Sequence, residues 1–422
     1  MKETHSPVAE AAYAFFSHAR FAQALSLMLI GTAFGTHALR ALLGTAGLTA
    51  LIAAELVLLT FMLIARRRVV RWNVFVPITL AVFLAWTIAS WFWSYYPRAS
   101  ATGLASQISF TALALGISAS RDTIQLIRAV GDVLRVFLAT SLVLEIIAGV
   151  LIDSPITFLG IKGNLISGSG IQGIFGSRNA FMMISLIAAI TFFIEWRTQS
   201  VSRQLALWSL AGSAVCVVLG ASPVGFVTAL IVVLLAGFIS LLRKMEAGLR
   251  RGTEIAAVSA LGVFMLVVWT IRNSVLEWLS GSPVLQYRLS LWSEELRLAK
   301  MKLLEGWGWV GLWPRKTQPF TVMNSSSGDI HNSGLNIYLD VWLQLGIVGL
   351  ALFLILIGFA FVRSWTLAVS KKSELYIWAP LVLSALLVSG LAESAAITEW
   401  GWFLVVLIVA RSSAELSWRR TE

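Results

Sequence analysis

The segment from residue 337 to residue 362 reads IYLDVWLQLGIVGLALFLILIGFAFV and decides the fold class. A helix needs about 20 mostly apolar residues to cross a bilayer, and this run exceeds that length. Similar runs follow one another along the chain, in which 58% of the 422 residues are hydrophobic and 13% are charged. The sequence therefore predicts an all-α, polytopic integral membrane protein.

About twelve segments of this kind are long enough to span a membrane. They lie at residues 21–39, 43–64, 73–93, 101–118, 132–152, 179–195, 204–220, 223–242, 255–271, 337–362, 377–392 and 395–410. The breaks between them are short, so we expect one membrane domain over residues 1–422. The exception is one large hydrophilic loop at 272–336, inserted between spans 9 and 10.

The net charge of +11 is distributed asymmetrically between the two sides of the predicted membrane. Basic residues follow every even-numbered span, as at residues 66–71, 243–251 and 419–420. Short cytoplasmic loops of membrane proteins carry an excess of Lys and Arg. The pattern predicts that both termini are cytoplasmic and that the 272–336 loop is extracytoplasmic. This distribution also argues against nucleic acid as a partner.

Three carboxylates stand out within or beside the predicted spans, namely Glu55, Glu145 and Glu393. An unpaired charge in the centre of a span costs roughly 2.5–3.5 kcal/mol on insertion scales. Such residues either belong to an ion or proton path or are bonded to a polar neighbour. Glu393 differs from the other two because it lies at the outer end of span 11, on the side of the large loop.

A glycine-rich stretch precedes span 6 on the predicted outer side. Six glycines occur between residues 160 and 176, and Arg178 and Asn179 follow directly. Such a loop can bring its backbone N–H groups close to an anion. Arg178 is then either an aqueous-facing cation or an anchor that extends to the membrane surface.

The large loop contains a helical pattern. Apolar residues recur at spacings of three and four, at Leu285, Leu289, Trp292, Leu296, Ala299 and Leu303. This pattern predicts an amphipathic helix of about 20 residues that ends before Gly306 and covers the spans. Arg288 precedes Trp292 by one turn and is either a ligand for an anion or a plain surface cation. The Trp residues of the following Gly306–Gly311 turn suit a membrane interface or a sugar surface.

The loop ends in Asp329-Ile330-His331-Asn332, where the apolar run resumes. Asp329 is a plausible N-cap for the next helix, which would place His331 in its first turn. The helix dipole favours a neutral imidazole there, and a neutral imidazole is the form that a general base needs. The alternative is a polar boundary residue. The chain has no Ser or Cys nucleophile motif and no cluster with metal-ligand spacing, so we expect no metal and no cofactor.

Four ordered features of the chain are similar to those of one known family. They are Gly173-Ile174-Phe175-Gly176-Ser177-Arg178-Asn179, then Arg288 with Trp292, then Gly306-Trp307-Gly308, then His331-Asn332 with Leu335 and Gly346-Ile347-Val348-Gly349. In order, topology and spacing over residues 170–365 the chain resembles the O-antigen ligase and polysaccharide polymerase superfamily, including exopolysaccharide polymerases. Many members carry a cation between the equivalents of spans 7 and 8, whereas Ala221–Gly225 has none.

The resemblance implies glycosyl transfer on the outer face of the bacterial cytoplasmic membrane, by a metal-independent enzyme. The donor would be an oligosaccharide on undecaprenyl diphosphate. The acceptor would be the hydroxyl group of a glycan or of a lipid-linked glycan. It implies catalytic roles for His331, Arg288 and Arg178, and substrate contacts for Asn179, Trp292, Asn332 and Glu393.

Three functions stay open at the level of sequence. The first is a polymerase of exopolysaccharide or O-antigen, and the second is a ligase that moves a finished glycan to a terminal lipid acceptor. The third, from another class, is a transporter or flippase for lipid-linked sugar, which would need more polar residues within the spans than this chain has. Membrane lipids and other polysaccharide-assembly proteins are the remaining candidate partners.

Overall fold

The computed structural model describes residues 7–70, 76–279, 283–314, 317–321, 323 and 332–416. Its α-helices in chain order are α1 (Pro7–Ser17), α2 (Ala19–Phe34), α3 (Thr36–Ala65), α4 (Ile78–Ala89), α5 (Pro97–Ser120), α6 (Thr123–Ile146), α7 (Arg178–Thr198), α8 (Arg203–Gly220), α9 (Pro223–Leu242), α10 (Ala247–Thr270), α11 (Arg272–Leu279), α12 (Pro283–Met301), α13 (Ile337–Ser370), α14 (Trp378–Ser389) and α15 (Glu399–Glu415). The described residues contain no β-strand, so the predicted all-α class is confirmed.

Eight helices of the described residues are long and apolar enough to cross a membrane. They are α3, α5, α6 with its continuation to Leu151, α7, α8, α9, α10 and α13. The shorter apolar helices α2, α4 and α14 coincide with three further predicted spans, and α15 coincides with the last. The chain is therefore an integral membrane protein, and the number of twelve spans stays a prediction.

The centre of the bundle is α15, in which every residue from Trp400 to Ser412 is buried. A helix that is apolar on all sides is typically surrounded by other helices. The indole of Trp402 donates to Thr111 Oγ1 on α5 over 2.9 Å, which satisfies its one polar atom inside the core. In contrast, no residue described in α10 is buried, so this helix lies at the edge of the bundle.

Two glycines with φ near +70° bend the membrane helices. Gly44 divides α3, so residues 36–43 form a short helical segment of their own. The sequence predicted the end of span 1 at residue 39 and a break of three residues before span 2. Gly346 divides α13, which the sequence predicted as one straight span. Left-handed backbone is readily adopted only by glycine, so both bends are encoded locally.

The segment predicted to form the loop helix contains α12, but its buried face is rotated from the predicted one. Leu291, Leu298 and Ala299 pack into a small core with Trp313 and Leu343. Of the six positions predicted to be buried, Ala299 is buried, the other helical ones are half-buried, and Leu303 is 48% exposed beyond the helix end. The rotation arises because α12 packs against α13 and the 313–320 segment.

Candidate active site

The glycine-rich segment is held by an internal carboxylate. The N–H groups of Gln172 and Gly173 both donate to Glu145 Oε1 on α6 over 3.0 Å, and the N–H of Ile174 donates to Ser141 Oγ over 3.2 Å. Two backbone N–H groups of this loop thus bind a carboxyl group of the protein itself. This favours the alternative in which Glu145 is bonded to polar neighbours over its use in an ion or proton path. Glu55 is similar, since it accepts from Thr32 Oγ1 over 2.5 Å.

Arg178 and Asn179 begin α7 directly after this segment. Ser177 caps the helix by accepting the N–H of Ala180 over 3.1 Å. The Arg178 side chain is exposed, and its guanidinium is 3.4 Å from the carbonyl oxygen of Ser169. This long contact leaves most of the guanidinium N–H groups available for a ligand.

Glu393 joins Asn179 to Arg288, which lie more than a hundred residues apart in the sequence. Asn179 Nδ2 donates to Glu393 Oε1 over 2.5 Å, and Arg288 Nη2 donates to the same oxygen over 3.1 Å. Arg288 also donates through Nη1 to the carbonyl oxygen of Ala392. The start of α7, the loop helix α12 and the segment before α15 therefore meet at one carboxylate.

The segment before α13 contacts α12 through Trp292. The Trp292 indole donates to the carbonyl oxygen of Gly334 over 3.0 Å, which occupies its polar atom with a structural contact. Asn332 is exposed, and its carbonyl oxygen accepts from the N–H of Trp313 over 2.7 Å. The 332–336 segment is thus bonded to Trp292 through Gly334 and to Trp313 through Asn332.

The helix start predicted at Asp329 is wrong. The structure begins α13 at Ile337, and Asn336 caps it by accepting the N–H groups of Tyr338 and Leu339 over 3.0 and 3.2 Å. Residues 332–336 are irregular, so His331 precedes the first helical residue by more than a turn. Asp329 and His331 themselves lie outside the described residues. The start of α13 is fixed by tertiary contacts as well, since Asn336 Nδ2 donates to the carbonyl oxygen of Leu391 over 3.2 Å.

Two glycine motifs of the sequence pack directly against each other. A Cβ atom at Gly346 would overlap the carbonyl group of Leu304, and a Cβ at Gly306 would overlap the backbone of Gln344 and Gly346. Backbone hydrogen bonds join the same segments, from Trp307 N to Leu343 O over 3.0 Å and from Gly308 N to Gln344 O over 2.9 Å. These glycines allow the turn after α12 to lie in the bend of α13, which orients the loop helix above the site.

Glu295 was not singled out from the sequence. Its side chain on α12 is fully buried, and neither carboxyl oxygen has a hydrogen-bond partner among the described residues. The carboxyl group lies against Gly334, whose N–H donates to Asp340 Oδ2 over 3.0 Å. Burial, followed by the charge of Asp340, raises the pKa of Glu295 well above its usual 4.5. Burial therefore favours the protonated form of Glu295, whose carboxyl group lies against Gly334.

His37 was missed as well. Its Nδ1 is 3.2 Å from the carbonyl oxygen of Ile174, and a Cβ atom at Gly176 would overlap its ring. Since a carbonyl oxygen only accepts, Nδ1 carries the proton in this contact. His37 thus packs the start of α3 against the segment that leads to Arg178. An isolated His at a helix start gave no signal in the sequence.

Residues 206–354 match the family model described as O-antigen ligase. The predicted superfamily is confirmed. The match runs from α8 to the middle of α13, so it includes Arg288, Trp292 and the paired glycine turns. Arg178, Asn179 and Glu393 lie outside it. No curated protein matches the chain.

The O-antigen ligase family acts on lipid-linked glycans, so the match indicates glycosyl transfer of ligase or polymerase type. No group of three or more His, Cys, Asp or Glu side chains that could hold a metal ion occurs in the described part of the chain. The chemistry available at the junction of α7, α12 and the 391–394 segment is that of cations, amides and a carboxylate.

Proposed function

We propose that this protein polymerises a surface polysaccharide or exopolysaccharide by glycosyl transfer on the outer face of the bacterial cytoplasmic membrane. The donor is a glycan on undecaprenyl diphosphate, and the acceptor is a sugar hydroxyl. One observation supports this proposal most: Asn179 and Arg288 both donate to Glu393 Oε1, so the two motif segments converge. Arg178, whose side chain is exposed, directly precedes Asn179 in the sequence.

In this proposal Arg178 and Arg288 bind the diphosphate leaving group. The planar guanidinium fork matches two phosphate oxygens, and charge-assisted contacts of this kind strengthen as negative charge develops. Glu393 and the carbonyl oxygen of Ala392 fix the Arg288 guanidinium before substrate arrives. The lipid diphosphate is already an activated leaving group, so neither a metal nor a covalent intermediate is required.

His331 is the proposed general base. The bond between the anomeric carbon and the diphosphate oxygen breaks as the acceptor oxygen bonds to that carbon. The acceptor proton passes to the imidazole, and the diphosphate leaves with the electron pair. Asn332 directly follows His331, and Trp292 donates to the carbonyl oxygen of Gly334 two residues later. Both are proposed to contact the sugars near the acceptor hydroxyl.

The orientation of the site follows from the charge of the chain. The basic clusters at 66–71, 243–251 and 419–420 favour cytoplasmic termini and an extracytoplasmic loop at 272–336. In this topology, α12 and the start of α13 lie outside the membrane. The proposed site then faces the compartment in which lipid-linked glycans are assembled into polymers.

A ligase that moves finished glycan to a terminal lipid acceptor is the second candidate, because the family description itself is O-antigen ligase. A flippase for lipid-linked sugar is less well supported. Its path would need exposed polar groups through the membrane depth, whereas the intramembrane carboxylates Glu55 and Glu145 are buried and already hydrogen-bonded.

Reconstitution of the purified protein with a lipid-linked oligosaccharide donor tests the proposal. Longer glycans on the lipid carrier support a polymerase, and glycan on a different acceptor supports a ligase. Movement of donor between leaflets without new glycosidic bonds would overturn both. Arg288→Ala is the site variant, and Arg297→Ala on the same helix is its control, because Arg297 is exposed and pairs with its neighbour Glu294.

A further inference from the structure

A cavity of about 480 Å³ lies between α3 and α5, and Arg178, Arg288 and Glu393 are not among its lining residues. Its wall is mainly apolar and includes Leu48, Ile52 and Leu56 from α3 and Phe110 from α5. The turn formed by residues 310–314 closes one side, and the lining along α3 extends from residue 36 to residue 56. The part after the bend at Gly44, residues 45–56, is roughly 17 Å of helix at 1.5 Å per residue, which is about half the hydrocarbon thickness of a bilayer.

The charged part of the cavity lining, called its mouth below, consists of Arg40 and Glu399. Arg40 and Glu399 both line it and form an ion pair with each other. Gln107 also lines the cavity, is only 4% exposed, and has no hydrogen-bond partner for its Nε2. A buried amide without a partner is uncommon in proteins, and a hydrogen-bond acceptor supplied by a ligand would satisfy it.

The walls of this cavity continue into the candidate active site. The 310–314 turn includes Trp313, whose N–H is bonded to the carbonyl oxygen of Asn332. Arg40 lies one helical turn after His37, which contacts the segment leading to Arg178. Glu399 follows Glu393 by six residues. The polar lining residues of the cavity are therefore connected to the site through Trp313, His37 and the chain between Glu393 and Glu399.

We propose that this cavity binds the polyprenyl chain of the lipid-linked donor, with its diphosphate at the mouth. The apolar wall takes the hydrocarbon, and Arg40 exchanges its ion pair with Glu399 for a phosphate oxygen. Gln107 donates to an oxygen of the same head group. The choice of donor rather than bulk phospholipid rests on the proposed function, because a chain bound here delivers its diphosphate to Arg178 and Arg288.

Photolabelling tests the location of the chain. The purified full-length protein in nanodiscs is irradiated with a polyprenyl diphosphate that carries a diazirine on its chain, and the labelled peptides are mapped by mass spectrometry. We expect labels on α3 and α5 between residues 45 and 56 and between residues 102 and 110. An excess of unlabelled polyprenyl diphosphate should remove them, whereas an excess of phosphatidylglycerol should not.

Two pairs of variants sharpen the test. Ala53 and Ala54 are both exposed, but only Ala53 lines the cavity. Ala53→Trp should lower labelling at least fivefold and raise the KM for donor more than it lowers kcat, while Ala54→Trp should leave both unchanged. Arg40→Gln should lower labelling severalfold, but Glu399→Gln, which releases Arg40, should maintain or increase it. Equal melting temperatures within each pair exclude misfolding as the cause.

The outcomes separate this inference from the proposed function. Normal glycosyl transfer with labels on other helices, and no effect of Ala53→Trp, would overturn the cavity assignment alone. Labels removed equally by phosphatidylglycerol would identify the cavity as a general phospholipid site and also overturn it. Specific labelling of the cavity without any glycosyl transfer would support the lipid site and contradict the proposed enzyme.

Discussion

Arg288 and Glu393 form an ion pair of 3.1 Å between the loop helix α12 and the segment before α15, with both side chains largely buried. The pair is placed next to Asn179, which donates to the same carboxylate oxygen. Burying a charge is costly unless it is paired, so removal of either partner leaves an uncompensated group. The position of Arg288, the proposed diphosphate ligand, therefore depends on the packing of three separate segments.

The bend in α13 gives a prediction about stability. Gly346 has φ +70° and lies against the backbone of Leu304, so Gly346→Ala should destabilise the fold by at least about 2 kcal/mol through strain and overlap. Gly358→Ala on the same helix is the control, because a Cβ atom there meets no other atom within 4 Å. Thermal unfolding in detergent should show a drop of several degrees for the first variant alone. Equal melting temperatures would mean that the bend is not required.

The sequence predicted much of the fold because apolar length is a local property. Runs of sufficient length gave the membrane helices, and spacing of three and four gave α12. The buried face of α12 was only partly predicted, because it is set by packing against Leu343 of α13 and Trp313, which the spacing of apolar residues does not specify. The helix start at Asn336 was missed because Asp329 has equal capping propensity, and only the contacts of residues 334–336 decide between them.

The candidate site was predicted in parts rather than as a whole. Arg178, Arg288 and their motif neighbours came from the family pattern, and Glu393 was predicted as a substrate contact. Its hydrogen bonds to Asn179 and Arg288 could be identified only from the folded chain. The burial of Glu295 could not be predicted, because it is one of several charged residues on an amphipathic helix and such residues usually face solvent. His37 and Arg40 depend on how α3 packs, which local sequence does not determine.

Glu295 gives a prediction about pH. Because burial raises its pKa in the folded state, the folded protein holds a proton that the unfolded chain releases above about pH 4.5. The stability of the wild type should therefore fall as pH rises from 4.5, until Glu295 ionises in the folded state. Glu295→Gln cannot ionise, so its melting temperature should exceed that of the wild type at pH 7–8, with the difference shrinking towards pH 4.5.

Glu294→Gln is the matched control, since Glu294 is paired with Arg297 near the surface. Its pKa is lowered, first by the hydrogen bond from Arg297, so its replacement should give no gain in stability at neutral pH. A Glu295→Gln variant that melts below the wild type at every pH would instead mean that Glu295 is ionised and bound in the folded protein.

His331→Ala should abolish glycosyl transfer while expression and thermal stability stay near those of the wild type. The expectation rests on the family motif His331-Asn332 and on the position of Asn332 beside Trp313. His331→Gln separates two roles, because Gln forms hydrogen bonds but is no base at neutral pH. Activity retained in the Gln variant would indicate orientation of the acceptor, and activity retained in the Ala variant would remove His331 from the mechanism.

Transfer should be insensitive to EDTA. The described residues contain no group of carboxylate, His or Cys side chains able to hold a metal, and the guanidinium groups of Arg178 and Arg288 are proposed to carry the charge of the leaving diphosphate. The assay compares transfer rates before and after chelation and dialysis. A loss that Mg²⁺ or Mn²⁺ restores would contradict the proposed metal-independent chemistry.

Arg178 and Arg288 should act on one diphosphate, and a double-mutant cycle measures this directly. Each charge-assisted contact is worth roughly 1.5–3 kcal/mol, so replacement of either residue by Ala should slow transfer at least tenfold. Arg288→Ala should be the more damaging variant, because it leaves the Glu393 carboxylate unpaired beside the leaving group. Lys should rescue each position only partly, since it supplies charge without the planar fork.

The double variant should lose less than the sum of the two single losses, because residues that act on one group are not energetically independent. Arg297→Ala, on the exposed face of α12, should transfer at the rate of the wild type. Strictly additive losses would place the two guanidinium groups on different parts of the substrate. A silent Arg288→Ala would reduce Arg288 to a structural partner of Glu393, and the diphosphate would then depend on Arg178 and Arg40.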